Sequence, residues 1–278
     1  MTSTRCAKVS LYALPSHLPA TCHTRYTCIA LTSQRLAHVS AAVKGIGSRN
    51  PFKKGRKLAA IMLEPLQGEG GITPATNEYF KLARQLCDET GALLMADEVQ
   101  TGMGRSGKMW GYMHHGVDVD VLTTAKALGG GVPIGAMMCK ESCNVFSPGD
   151  HASTYGGNPL ACAAGNAVMA AFEKDALLEN VNERGQQLRA GLEQLAGSSG
   201  CIKEVRGWGL ILGVELTEEC GFLASDVVAK LMEAGMLTVP AGLRVVRFVP
   251  PLVVSAAEVD EALKMLGDAF GALSMSKE

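Results

Sequence analysis

Residues 119–136 read VDVLTTAKALGGGVPIGA. The β-branched and apolar run VDVLTT predicts a strand over 119–124. Lys126 follows just past its end, and three glycines begin three positions later. The same arrangement occurs twice upstream. LAAIML at 58–63 is a buried strand by pattern, stopped at Glu64-Pro65, and ALLMA at 92–96 is another, closed by Asp97 and Glu98. Between them, NEYFKLARQLCDET at 77–90 sets Tyr79, Phe80, Leu82, Ala83, Leu86 and Cys87 at helical spacing, with Gly91 as its C-cap. Strand, helix and strand in this rhythm predict parallel pairing through right-handed crossovers, an α/β fold. Ligands of open α/β sheets gather outside the carboxyl ends of the strands. Glu64, Asp97 and Lys126 are therefore expected on one rim.

Beyond residue 158 the texture changes. NPLACAAGNAVMAAFEK at 158–174 is Ala-rich and continues to about Leu195 as one or two long helices, broken by GSSG at 197–200. VRGWGLILGVEL at 205–216 reads as a strand, and SDVVAKLMEAG at 225–235 as a helix with Ser225 as N-cap. RVVRFVPP at 244–251 reads as a strand, and SAAEVDEALKMLGDAF at 255–270 as a helix opened by a Ser255–Glu258 capping box. The chain is thus expected to divide into a leader over 1–57, a large-sheet domain with an interdomain helix over 58–195, and a small C-terminal α/β domain over 196–278.

Composition narrows the class. The 278 residues are 47% apolar, with a mean hydropathy of +0.14, which supports a sizeable core. No apolar run approaches the roughly 18 residues of a membrane-spanning helix. VVRFVPPLVV at 245–254 is interrupted by Arg247 and two prolines. Charge is uneven: residues 1–57 hold ten Lys/Arg and no acid, against sixteen Lys/Arg and twenty-seven Asp/Glu in the rest. An acid-free, Ser/Thr-rich start has the character of an organellar transit peptide, implying a mitochondrion or plastid; without that role the cytoplasm is expected. A disordered basic tail has the same composition. Aromatic residues are sparse there, which argues against a nucleic-acid arm. Nine cysteines without a paired CxxC or a nearby His pair point to reduced thiols and to no metal site.

Four segments carry chemistry. A primary amine such as that of Lys126 is a nucleophile able to form a Schiff base, and the glycines after it let backbone pass close to a bound ring. A carboxylate such as Asp97 suits a pyridine nitrogen, while Val99 can pack on a ring face and Gln100 can hydrogen-bond a phenolic oxygen. An ordinary turn-capping acid is the alternative there. HASTYGGNP at 151–159 presents Ser153 and Thr154 ahead of two glycines and a helix, a setting for an anion or simply a helix cap. Arg247 stands in an apolar strand, where a lone guanidinium needs a partner. A substrate carboxylate serves, with Glu69 of QGEGG holding it otherwise; a structural ion pair is the alternative.

LEPLQGEGG, ADEVQTGMGRSG, TTAKALGGGVPIGA, HASTYGGNPLA and VVRFVPPLVV occur in that order. Together they resemble the class III, ω-amino-acid subgroup of pyridoxal-phosphate aminotransferases, and most nearly its acetylornithine members. The likeness runs from about Lys57 to about Leu273. It implies the fold type I architecture: a mostly parallel sheet with helices on both faces, here partial, plus a small C-terminal α/β domain. By the resemblance Lys126 is the Schiff-base lysine and the base of the proton shift. Asp97 is the pyridinium partner, and Glu98, Val99 and Gln100 belong to the cofactor site. Thr154 is the phosphate ligand given across a homodimer with shared sites, and Ser153 contacts substrate. Arg247 takes the α-carboxylate of a dicarboxylate and Glu69 gates it. Pyridoxal 5'-phosphate is the implied cofactor, with N-acetylornithine and 2-oxoglutarate as substrates, no metal, no nucleic acid and no membrane. The family's phosphate-cradling loop, its ring-stacking aromatic and a second substrate arginine have no counterpart in residues 1–57. The chain is therefore expected to be a C-terminal portion behind an unrelated leader. Other readings stay open: a non-catalytic fragment or dimerising partner, a transaminase of another ω-amino acid (ornithine, 4-aminobutyrate or succinyl-diaminopimelate), or an aminomutase or decarboxylase on the same scaffold.

Overall fold

Strand β3, Lys57–Leu63, begins the continuous part of the structure. The computed structural model describes residues 9–12, 26–31 and 57–275. Six strands form the large sheet in the order β1 (Val9–Tyr12), β2 (Tyr26–Leu31), β3, β6 (Leu93–Asp97), β7 (Val121–Thr124) and β8 (Ala136–Cys139). The central pairs β2/β3, β3/β6 and β6/β7 are parallel, as expected, and the outer pairs β1/β2 and β7/β8 are antiparallel. Short strands β4 (Leu66–Gln67) and β5 (Thr73–Pro74) pair across the QGEGGI turn.

Helix α1, Asn77–Thr90, is set by its ends. The Thr76 hydroxyl accepts the Tyr79 amide at 3.2 Å, and Gly91 closes the helix in the left-handed conformation, φ 70°. Its Tyr79, Phe80, Ala83 and Cys87 bury against Ile61, Leu63, Leu94 and Ala96 of the sheet. The register then levels the strand ends, with Leu63 beside Ala96 and Asp97 beside Thr123. Glu64, Asp97 and Lys126 come out on one rim.

One expectation is corrected here. Residues 1–57 read as a leader outside the fold, yet Val9–Tyr12 and Tyr26–Leu31 are strands, and β2 pairs along Lys57–Met62. The segment YTCIAL carries β-branched and apolar residues and no charge, so nothing opposes its adding to the open edge of β3. The rest of the expected leader lies outside the described residues.

The second sheet is antiparallel throughout, in the order β11 (Val239–Pro240), β12 (Val245–Phe248), β10 (Ile211–Leu216), β9 (Ile202–Trp208). The single strand read over 205–216 is thus a hairpin that reverses at Gly209, whose φ is 48°. A Cβ there would lie 2.6 Å from the Gly107 nitrogen, so only glycine fits. Helices α3 (Leu177–Ser199) and α5 (Ala256–Met275) lie against the sheet with α4 (Ala224–Glu233). Leu188, Leu192, Leu212, Val214, Val246 and Leu266 form the centre of this core. The Ala-rich run is two helices, because α2 (Pro159–Lys174) stops at Asp175 and the chain turns at Ala176, φ 47°. GSSG does not break α3 at 197; Gly200 ends it. Ser225 is not the N-cap either. It lies inside α4, and the Asp226 carboxylate accepts the Leu223 amide at 2.7 Å. The Ser255–Glu258 box forms as read, with the Ser255 amide donating to Glu258 Oε2 at 2.8 Å. Among the described residues no helix is long and apolar enough to cross a membrane.

Candidate active site

Lys126 opens a single 3₁₀ turn, Lys126–Gly129, directly after β7. Its φ is 44°, a left-handed conformation that costs a side-chain-bearing residue roughly 1–2 kcal/mol. The surrounding glycines make it possible. Gly130 and Gly131 take φ 58° and 110°, and a Cβ on Gly129 would sit 2.8 Å from Ile134. Helix α2 packs on this turn and fixes it. Strained backbone held by its surroundings is a mark of a functional position.

Asp97 ends β6 beside Thr123. Its Oδ1 accepts the Val99 amide at 3.1 Å, which ties the carboxylate to the loop that carries Val99 and Gln100. Glu64 completes the rim and accepts the Gly68 amide at 3.0 Å. Burial raises the Glu64 carboxyl above its ordinary range, the Gly68 amide opposes that, and the charges of Asp97 and Lys126 act on it in opposite senses. The three groups share one electrostatic neighbourhood, as their places at the strand ends predict.

A cavity of about 430 Å³ lies between the rim and the small sheet. Its lining includes Lys126, Val99, Gln100, Glu69, Arg105 and Arg247. Three cationic side chains face it against one carboxylate, so the space favours an anion. Arg247 Nη1 donates to Glu69 Oε1 at 2.7 Å and to Gln100 Oε1 at 3.1 Å, and Gln100 Nε2 returns a bond to Glu69 at 3.2 Å. The hydrogen bond from Arg247 holds the Glu69 carboxyl below its usual range. Arg247 Nε is buried with no partner in the described structure, and Glu69 is largely exposed. The predicted pair forms, and its acid faces solvent.

The structure does not bring every expected residue here. Glu98 turns inward, 1% exposed, and its carboxylate accepts Thr101 Oγ1 at 2.5 Å and the Gly111 and Tyr112 amides at 2.8 Å each. It organises the loop after β6, because the next residue along a strand points to the opposite face from Asp97. Ser153 and Thr154 are exposed and do not line the cavity; Ser153 Oγ accepts the Gly156 amide at 2.9 Å, within its own turn. Asn158 rather than either hydroxyl caps α2, accepting the Ala161 amide at 3.0 Å. Arg105 was missed, and its one signal was an arginine isolated among the small residues of GMGRSG.

The donor set fits pyridoxal phosphate on its chemistry: an amine for the aldehyde, a strand-end carboxylate for the ring nitrogen, and surplus positive charge for the phosphate and a second anion. Comparison with known proteins bears on this directly. Residues 6–270 match the aminotransferase class-III family model. This chain belongs to that family. The match begins within the expected leader. The acetylornithine aminotransferase of a Nostoc species is 55% identical over 219 residues, which is 78% of this chain and 51% of that protein. The class-III chain thus spans about half the length of the curated relatives it matches. An ornithine aminotransferase structure from Toxoplasma gondii, described as having partial occupancy of pyridoxal phosphate at its active site, superimposes with a TM-score of 0.78 at 35% identity, over 88% of this chain and 55% of that one. An N-acetylornithine aminotransferase from Stenotrophomonas maltophilia gives 0.75 at 36%, over 87% and 62%. These neighbours share the mostly parallel α/β architecture read from the strand rhythm.

Proposed function

We propose that this chain serves pyridoxal-phosphate-dependent transamination of N-acetylornithine with 2-oxoglutarate. The observation that carries the reading is the joint lining of one cavity by strained Lys126 and by the Arg247–Glu69–Gln100 cluster, with Asp97 at its rim. The cofactor, when bound, supplies the electron sink. The protein supplies the rest. Asp97 is placed to hold the ring nitrogen in its protonated form, and Val99 to press on the ring face. The Lys126 amine would provide the nucleophile for the cofactor's aldehyde and the base that takes and returns the proton of the 1,3-shift. Arg247 changes partner: a dicarboxylate displaces Glu69, whereas a substrate without that second carboxylate leaves the pair closed. One cavity thereby serves two unlike substrates.

Ser153 and Thr154 enter this reading from a second copy. Phe146, Tyr155 and Leu160 lie exposed in and beside their turn, an apolar surface of the kind a homodimer buries.

The test uses the full chain with added pyridoxal phosphate. Cofactor absorbance lost in Lys126→Ala and glutamate formed from N-acetylornithine and 2-oxoglutarate are the expected results. A chain that takes up no cofactor sinks the proposal and favours a non-catalytic role. Faster turnover of ornithine or 4-aminobutyrate moves the substrate assignment within the family.

A further inference from the structure

Arg105 lines the same cavity as Lys126 and Arg247 but pairs with no carboxylate among the described residues. Its Nη1 donates to two carbonyls at once, Leu210 O at 3.0 Å and Pro250 O at 2.5 Å. Its own carbonyl accepts the Leu210 amide at 3.1 Å. Leu210 is the turn of the β9–β10 hairpin, and Pro250 lies three residues beyond Arg247 at the end of β12. One side chain from the large-sheet side therefore ties the turn that leads into β10 to the residues just past β12, the strand that carries Arg247 beside Gly213 of β10.

The grip has a rigid base. Glu98 fixes the loop through Thr101, Gly111 and Tyr112, and the Gly102 amide donates to the Glu98 carbonyl at 2.9 Å. Asn182 holds the far side, donating to Gly107 O at 3.0 Å. Burial lowers the Arg105 guanidinium to about 10, so a cation is retained here at neutral pH with only carbonyl dipoles to balance it. Both bonds leave one Nη1, whose two N–H groups are fixed in the guanidinium plane, whereas the N–H groups of a lysine ammonium rotate.

We infer that Arg105 is a positioning residue: it sets where Arg247 stands over the cavity by clamping the hairpin turn and the end of β12. The consequence for substrate rests on the transaminase reading above; the clamp itself does not. Dicarboxylate affinity depends on Arg247, whereas cofactor uptake depends on Lys126 and Asp97, so loosening the clamp separates the two.

The experiment compares the full chain with Arg105→Lys, Arg105→Met and Lys230→Ala, the last removing an exposed ion pair with Glu233 on α4. Hydrogen exchange at the amides of 245–252 reads the clamp without any ligand. Both Arg105 variants are expected to speed it, and Lys230→Ala to leave it unchanged. For 2-oxoglutarate, both Arg105 variants are expected to raise KM about tenfold, the loss of a charged hydrogen bond. Arg105→Lys keeps the positive charge at the cavity and is expected to hold kcat and cofactor uptake within about twofold. Unchanged exchange in Arg105→Lys overturns the inference, as does a parallel loss of cofactor uptake and 2-oxoglutarate affinity in that variant, or a Lys230→Ala effect equal to that of Arg105→Lys. If Arg105→Met does not fold, Arg105→Lys decides the matter alone. A wild-type chain that binds no 2-oxoglutarate refutes the functional reading, and exchange still judges the clamp.

Discussion

At the carboxyl rim of the large sheet, Glu64, Asp97 and Lys126 stand at or just past three neighbouring strand ends, with strain at the lysine. In the small sheet, β10 and β12 bury Leu212, Val214, Val246 and Phe248, and only Arg247 reaches the cavity from within β12. The rim carries reactive groups on loops that pay for them with unfavourable backbone. The small sheet sends one charged arm, Arg247, into the cavity from a rigid apolar frame. Reactivity and placement are thus assigned to different parts of the molecule, and changes in each should fail differently.

The largest separation is expected from Lys126→Ala. Turnover should fall by roughly 10³-fold or more through loss of its acid–base role alone, while the urea midpoint barely moves. Kinetics and chemical denaturation of the same sample decide this; substantial residual turnover would move the chemistry away from the rim. The converse change is Leu212→Ala, which removes a buried side chain and should cost about 2–5 kcal/mol of stability. Cofactor absorbance should survive wherever the variant stays folded.

Asp97 and Glu98 sharpen the contrast inside two residues. Glu98→Ala leaves a hydroxyl and two buried amides unpaired and should destabilise the chain by roughly 3 kcal/mol. Asp97→Ala should instead weaken cofactor binding with little effect on thermal melting. Equal behaviour of the two variants would erase the distinction drawn from their opposite faces.

The smallest effect is a pH dependence at the seam of the two sheets. His115 stacks on Phe80 at 4.4 Å, lies edge-on to Trp208 at 5.5 Å, and meets Asn77 Oδ1 through Nδ1 at 3.0 Å. Burial lowers it to about 4, and the neighbouring charges of His114 and Lys108 add to that. The folded state therefore keeps a neutral ring where the unfolded chain takes up a proton. Stability should fall as pH drops from about 6.5 towards 4, by about 2 kcal/mol between roughly pH 7 and pH 5. His115→Gln should flatten that part of the urea-stability profile; an unchanged slope would assign it to other groups.

Much of this was legible in the chain. LAAIML, ALLMA and VDVLTT announce buried strands, and the ionisable residue after each points to the rim. The pairing of Arg247 with Glu69 was readable because a guanidinium in VVRFVPP must find an acid. Two features were not legible, for local reasons. Glu98 adjoins Asp97 in sequence, yet its carboxylate is taken up by Thr101, Gly111 and Tyr112. VRGWGLILGVEL looked like one strand because its glycines do not reveal which of them turns the chain.

What the sequence by itself determined is the type and order of the elements and the identity of the reactive groups, since periodicity, caps and lone charges are short-range properties. What only the tertiary structure decided is which groups meet. Arg105 and Pro250 lie 145 positions apart, Arg247 and Glu69 178 apart, and β2 joins β3 across a long connection. A sequence pattern registers a residue's need for burial or for a partner. The choice among partners is made when packing brings distant segments within hydrogen-bond reach.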